Sequence, residues 1–271
     1  MIRLLRIELT KIIYNRTFWI ILGLYVLLMV PIAFQLEDFL NSISINGGAD
    51  PKQEPGVPLG SMLLQNSSIF SYPDVWHYIS YLASWFKLLL AIILIINITD
   101  EYSYKTLRQN IIDGMNKWEI IGAKQLVILL LSSFAVIMVI VVTLIVGSAA
   151  EGVNITEGSS IVLSYFFSLI LYLNFAYLLC TWLKKSGFVI SILFLYTLVI
   201  ENLISFQIPD NVSQFLPMNL LESLVPNPVQ KILGQSVGYT LSATHIGASL
   251  VYTSFFIVLI YWMLKKGHVG K

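Results

Sequence analysis

The sequence predicts an all-α integral membrane protein with six transmembrane helices, preceded by an N-terminal amphipathic interfacial helix. Three observations carry this expectation. Of 271 residues, 57% are hydrophobic and only 11% charged, against about 25% charged in soluble domains. The apolar residues gather into runs of roughly the length that a hydrocarbon core about 30 Å thick requires. The basic residues fall mainly on alternate sides of those runs. Together they predict one membrane domain over residues 1–271, with short outer re-entrant helices between spans 5 and 6.

Residues 1–16 form the interfacial helix. At about 100° per residue, Ile2, Leu5, Leu9, Ile12 and Ile13 share one face, while Arg3, Arg6, Glu8 and Lys11 fall mostly elsewhere. Arg16 closes the segment. Such a helix lies in the interface plane, and a plain extension of the first span stays open as the alternative. The basic start is followed by no small-residue cleavage site, so it is expected to be retained. Span 1 covers 17–36. The outer loop 37–75 is rich in Gly and Pro and acidic, with Glu37, Asp38, Asp50, Glu54 and Asp74 against Lys52, which predicts turns. Span 2, 76–99, has an aromatic lead-in from Trp76 and is interrupted by Lys87. Residues 100–123 form a polar connection. Spans 3 and 4 cover 124–150 and 159–183, and span 5 covers 187–206, interrupted by Glu201. The outer segment 207–245 holds two short apolar stretches broken by Pro209, Pro217, Pro226 and Pro228, the pattern of re-entrant or surface-lying helices. Span 6 covers 246–264.

Orientation follows from charge. Four Lys and Arg precede span 1, three lie between spans 2 and 3 with Lys124 at the edge of span 3, two lie between spans 4 and 5, and three follow span 6, which makes 13 of the 16. The positive-inside rule therefore puts both termini in the cytoplasm. A formal charge of +1 gives no reason to expect nucleic acid as a partner. Cys180, the single cysteine, lies in an apolar run and reads as a small buried hydrophobe.

The connection 100–123, with Lys124 after it, is the richest segment, with four acids and four bases. Thr106 to Ile112 is long enough for two helical turns, and Gly114 ends them. Asn116 followed by Glu119 has the spacing of a capping box that starts the next helix. A short helix between two spans could receive force from a cytoplasmic partner. A polar connection with no partner is the alternative.

This loop resembles that of ABC-2 type permeases, in which an acidic residue after the second span is followed by a pattern like E-x-x-x-G-T-L-R, a turn residue, a basic residue and a Lys at the third span. The matching residues are Glu101, Thr106, Leu107, Arg108, Gly114, Lys117 and Lys124. Lys105 stands where the family commonly has Gly, and Asn116-Lys117 where Ser-Arg is frequent. The resemblance is closest to small bacterial permeases of the efflux and bacteriocin-immunity kind. It implies the bacterial plasma membrane and a homodimer or heterodimer with a second permease subunit. It also implies a cytoplasmic ABC ATPase subunit docked from Glu101 to Lys117, which would hydrolyse ATP with Mg and drive an amphiphilic or hydrophobic compound outward. The chain itself has no G-x-x-x-x-G-K-[ST] run, which phosphate cradling needs, so no cofactor is expected here.

An ionisable group at membrane depth costs at least about 2.5 to 3.5 kcal/mol and marks a functional position by default. Counted from Thr99 and Phe188 at about 1.5 Å per residue, Lys87 and Glu201 lie at similar depths of about 18 and 20 Å. They are expected to form an intramembrane ion pair. The alternatives are a Lys87 that snorkels outward and a Glu201 that is wetted or protonated. If the two instead carry ion coupling, the protein is a secondary transporter or channel. His77, His245 and His268 are widely separated, so no metal site is predicted. No nucleophile arrangement suggests an enzyme.

Overall fold

The computed structural model describes residues 8, 10–46, 72–147, 155–228 and 243–266. Those residues are all-helical, with no strand among them. Arg3 and Arg6 of the expected interfacial helix lie outside the described residues. Within that segment residues 10–14 are helical. The chain leaves the helix at Asn15, whose side chain accepts the backbone N–H of Thr17 at 3.0 Å. Asn15 thereby acts as the N-cap of the following helix. The Trp19 indole donates back to the Ile13 carbonyl at 2.8 Å, fixing the entry into that helix.

The long helix α1, Arg16–Asn46, is followed by α2 (Asp74–Trp85) and α3 (Lys87–Ser103). A short α4 (Thr106–Ile112) leads to α5 (Lys117–Val146), α6 (Ser160–Leu183) and α7 (Ser186–Leu195). A π-helical turn, Tyr196–Ile200, joins α7 to α8 (Glu201–Ser205). Two short helices, α9 (Asp210–Ser213) and α10 (Pro217–Leu224), precede α11 (Ala243–Lys266).

Five stretches are long and apolar enough to cross a membrane: Arg16–Gln35, α5, α6, Ser186–Ser205 and α11. These make the protein membrane-embedded. The expected second span is not a straight helix. Its residues form the pair α2 and α3, bent by 41°. At the break Phe86 has φ −90° and ψ 1°, and its N–H bonds the Ala83 carbonyl at 3.1 Å. This tight i to i−3 turn interrupts the α-helical ladder with neither Pro nor Gly present.

The centre of the fold is α6, with 72% of its apolar window buried inside the protein against 17% for α1. It packs most extensively on α11, α3, α5 and α10. Its Asn174 satisfies its amide by donating to Ile170 at 2.9 Å and accepting from Gln125 of α5 at 2.6 Å. That exchange removes the cost of a buried unpaired amide.

Contacts between helix ends define two poles. At the proximal pole Trp118 of α5 stacks on Tyr261 of α11 with centroids 4.3 Å apart, and the Lys184 ammonium lies 5.9 Å over the Tyr102 ring. At the distal pole the Trp76 indole donates to the Ile155 carbonyl at 2.8 Å. There His77 Nε2 also lies 2.6 Å from the Pro226 carbonyl oxygen.

Candidate functional site: a buried charge cluster and the loop it anchors

Three segments converge at the proximal pole because each carries a charge on its inward face. Glu101 lies in the last turn of α3, and Asn97 lies one helical turn before it. Lys124 lies two turns into α5. Glu8 and Lys11, three residues apart, share a side of the N-terminal segment. The Lys124 ammonium donates to Glu8 Oε2 at 2.7 Å, Glu101 Oε1 at 2.9 Å and Asn97 Oδ1 at 3.0 Å. An ammonium has three donors and no acceptor, so Lys124 is saturated. Lys11 donates to the same Glu101 Oε1 at 2.7 Å and to Glu8 Oε1 at 3.4 Å.

Two carboxylates thus face two ammonium groups and the cluster is neutral. Its two bases are not equivalent. The Lys124 side chain is 2% exposed and that of Lys11 35%, so solvent screens one and not the other. Burial works against the Lys11 charge, but the Glu101 hydrogen bond and the charges of Glu101 and Glu8 outweigh it. The Lys11 ammonium is held above its ordinary value of 10.5.

The loop beyond the cluster keeps the predicted local form. Glu119 Oε2 accepts the Asn116 N–H at 2.9 Å, and the reciprocal bond completes the capping box at the start of α5. Gly114 turns with φ 92°, a conformation that costs glycine nothing. At the other end of α4, Lys105 takes φ 57° and ψ 17°, the left-handed region that costs an L-residue roughly 1–2 kcal/mol. The backbone at this position therefore favours glycine. Lys105→Gly is expected to stabilise the protein by up to about 1 kcal/mol. That would read as a rise of roughly 2 °C in the unfolding midpoint, with Lys105→Val moving it the other way.

The six residues expected to contact a partner divide. Glu101 and Leu107 are 6% and 5% exposed, so both act inside the protein. Glu101 is engaged by two ammonium groups, while Leu107 is the buried anchor of α4. Thr106 and Lys117 are partly buried, whereas Arg108 and Gly114 are exposed. Two residues that sequence reasoning did not single out dominate the loop surface: Tyr104 and Ile112, 77% and 73% exposed. Glu8 and Asn97 were also missed. The Glu8 and Lys11 spacing was the available signal. Arg16, at the start of α1, is exposed.

The expected ion pair in the bundle is corrected. Among the described residues the ion pairs are those of Lys11 and Lys124 with Glu8 and Glu101, and Lys87 and Glu201 form none. Glu201 is 1% exposed, and its Oε1 accepts the backbone N–H groups of Met218 at 2.7 Å and Asn219 at 2.6 Å. Those are free donors in the first turn of α10, where Leu216 supplies no side-chain cap and Pro217 takes the first position. Glu201 therefore caps a helix from outside it, favoured by the helix dipole. Lys87 instead lies 5.2 Å over the Tyr172 ring. The matched depths assumed straight helices. The π turn Tyr196–Ile200 lies within the count to Glu201 and breaks that assumption, whereas Lys87 to Thr99 is unbroken helix.

The sequence matches no model of a known protein family and none of the curated proteins.

Proposed function

We propose that this chain is the membrane subunit of an ATP-driven exporter of the ABC-2 kind. It would have six spans, counting the bent pair α2–α3 as one, and a cytoplasmic proximal pole. It would pair with a second permease subunit and take its energy from a separate ABC ATPase docked at the loop between α3 and α5. The observation that carries this reading is the form of that loop. Its outer surface offers Tyr104, Arg108 and Ile112 to a partner, while its inner side is fixed by Leu107 and by the buried cluster at Glu101. Exposed apolar and aromatic groups around an Arg are what a protein partner buries. A force applied there would pass through Lys124 to α5 and through Glu8 to the N-terminal segment as one body. The neutral, saturated cluster makes their separation costly.

The test is a double substitution on the exposed side, Arg108→Glu with Ile112→Asp, in protein reconstituted with a candidate ATPase. Both residues are exposed, so unfolding should be unchanged within about 0.5 kcal/mol. ATPase binding is expected to fall at least about tenfold, as loss of an interface hot spot does. Unchanged binding and transport would remove the exporter reading. The ion-coupled alternative depended on Lys87 and Glu201 acting together, and their separate partners leave it without that support.

A further inference from the structure

The N-terminal segment, the start of α1 and the middle of α3 enclose a groove of about 230 Å³, its open mouth included. The proposed coupling path does not use it. Its lining is graded in polarity along the helix axes. α1 runs away from the proximal pole and α3 runs toward it. Asn15, Thr17 and Asn97 therefore line the end near the pole, while Ile21 and Ile93 line the end nearer the membrane centre, with Phe18 between them.

The polar end is a set of donors without acceptors. The Lys124 ammonium can only donate, so the Asn97 atom that it meets at 3.0 Å is the carbonyl oxygen, and the NH2 of that amide is left over. In the same way the Asn15 oxygen takes the Thr17 N–H at 3.0 Å and leaves its own NH2. Among the described residues neither NH2 has a partner, and neither does the Thr17 hydroxyl. Arg16, between Asn15 and Thr17 in the chain, is exposed and makes no ion pair among the described residues. The carboxylates of the adjoining cluster, Glu8 and Glu101, are held by Lys11 and Lys124.

Trp19 sets the depth. It is 56% exposed and its indole N–H is bonded to the Ile13 carbonyl, as suits an aromatic ring at headgroup level. With only 17% of its apolar window buried, α1 is a wall of the bundle that lipid meets. A guanidinium, then amide donors, then an apolar trough match in order the phosphate, the ester carbonyls and the first methylenes of a glycerophospholipid. The volume decides how much is held. Sites for whole small molecules run to about 300–1,000 Å³, so this groove takes part of a ligand whose remainder stays in the bilayer. We propose that the groove holds one diacyl phospholipid, with its phosphate on Arg16, its ester carbonyls on the NH2 groups of Asn15 and Asn97, and the start of one chain on Ile21 and Ile93. Because Asn97 also holds Lys124, this lipid ties the N-terminal segment, α1 and α3 to the charge cluster. The site goes beyond the exporter reading and does not depend on it.

The experiment is native mass spectrometry of the full-length protein in detergent micelles with no ATPase present. It is titrated with phosphatidylglycerol, its ether-linked analogue, or glycerol 3-phosphate. The first phosphatidylglycerol is expected to bind at least about tenfold more tightly than those that follow. Arg16→Gln should weaken that first event about tenfold, as loss of a hydrogen bond to a charged group does. The ether analogue, which lacks the ester carbonyls, should weaken it at least about fivefold. Ile21→Trp, which fills the trough, should remove it. Arg16 is exposed, so Arg16→Gln keeps the fold and carries the test if Ile21→Trp does not fold. Uniform affinities for every bound lipid, glycerol 3-phosphate binding as tightly as the lipid, or a first event unchanged in Arg16→Gln or with the ether analogue would overturn the site. Because no ATPase is present, failure of the exporter reading leaves this result standing.

Discussion

Lys124→Met is expected to destabilise the protein by about 3–5 kcal/mol, the cost of leaving buried charge without its partner. The substitution strands Glu8 and Glu101 with a single ammonium, that of Lys11, whose side chain is 35% exposed. It also leaves Asn97 Oδ1 without the donor it now has at 3.0 Å. In detergent the unfolding midpoint should fall by roughly 10 °C. Charge rather than volume is the cause, which the double variant Lys124→Met with Glu8→Gln tests. It restores neutrality, leaving Lys11 with Glu101, and should recover most of the loss. Lys11→Met is expected to cost less than Lys124→Met, since solvent screens part of the Lys11 charge. Equal losses in the two single variants, or no recovery in the double, would show that the cluster is not an electrostatic unit.

The second large effect is expected at Glu201. Glu201→Ala removes the acceptor for two backbone donors, at 2.7 and 2.6 Å. With hydrogen bonds to a charged group contributing about 1.5–3 kcal/mol each, a loss of about 3 kcal/mol is expected. Glu201→Gln keeps an acceptor oxygen and should lose about 1 kcal/mol. The effect should be local. Hydrogen exchange should show the amides of α10 losing protection in Glu201→Ala while α5 and α6 keep theirs. Lys87→Met should leave α10 protected, since Lys87 has no part in its cap. If Lys87→Met exposed α10 as strongly as Glu201→Ala does, the two would be partners after all.

Why some of this was legible in the sequence and some was not comes down to the range over which each feature is specified. The apolar runs of α5, α6 and α11 declare themselves because membrane-crossing length is a local property of composition. The capping box was legible for the same reason: Asn116 and Glu119 are three residues apart and bond to each other. The break at Phe86 was not, since neither Pro nor Gly marks it. The π turn before Glu201 likewise has no sequence signature. The charge cluster joins Glu8 to Lys124 across 116 positions, and only the packing of three segments brings them together. Lys87 and Glu201 stand out in the sequence as charges within apolar runs. Depth alone could not choose their partners, because backbone N–H groups compete with side chains for a carboxylate and leave no trace in residue identity.

The central position of α6 also bears on how the chain is made. Gln125 on α5 is synthesised before Asn174, so when α6 enters the bilayer the partner for its amide is already waiting, and the pair can form at once. The face of α6 that meets α11 has no such advantage. It must stay open to lipid or to a chaperone until α11 has been translated and inserted. A ribosome stalled before Ala243 would therefore hold a bundle whose middle helix is still its outer wall, until α11 closes over it.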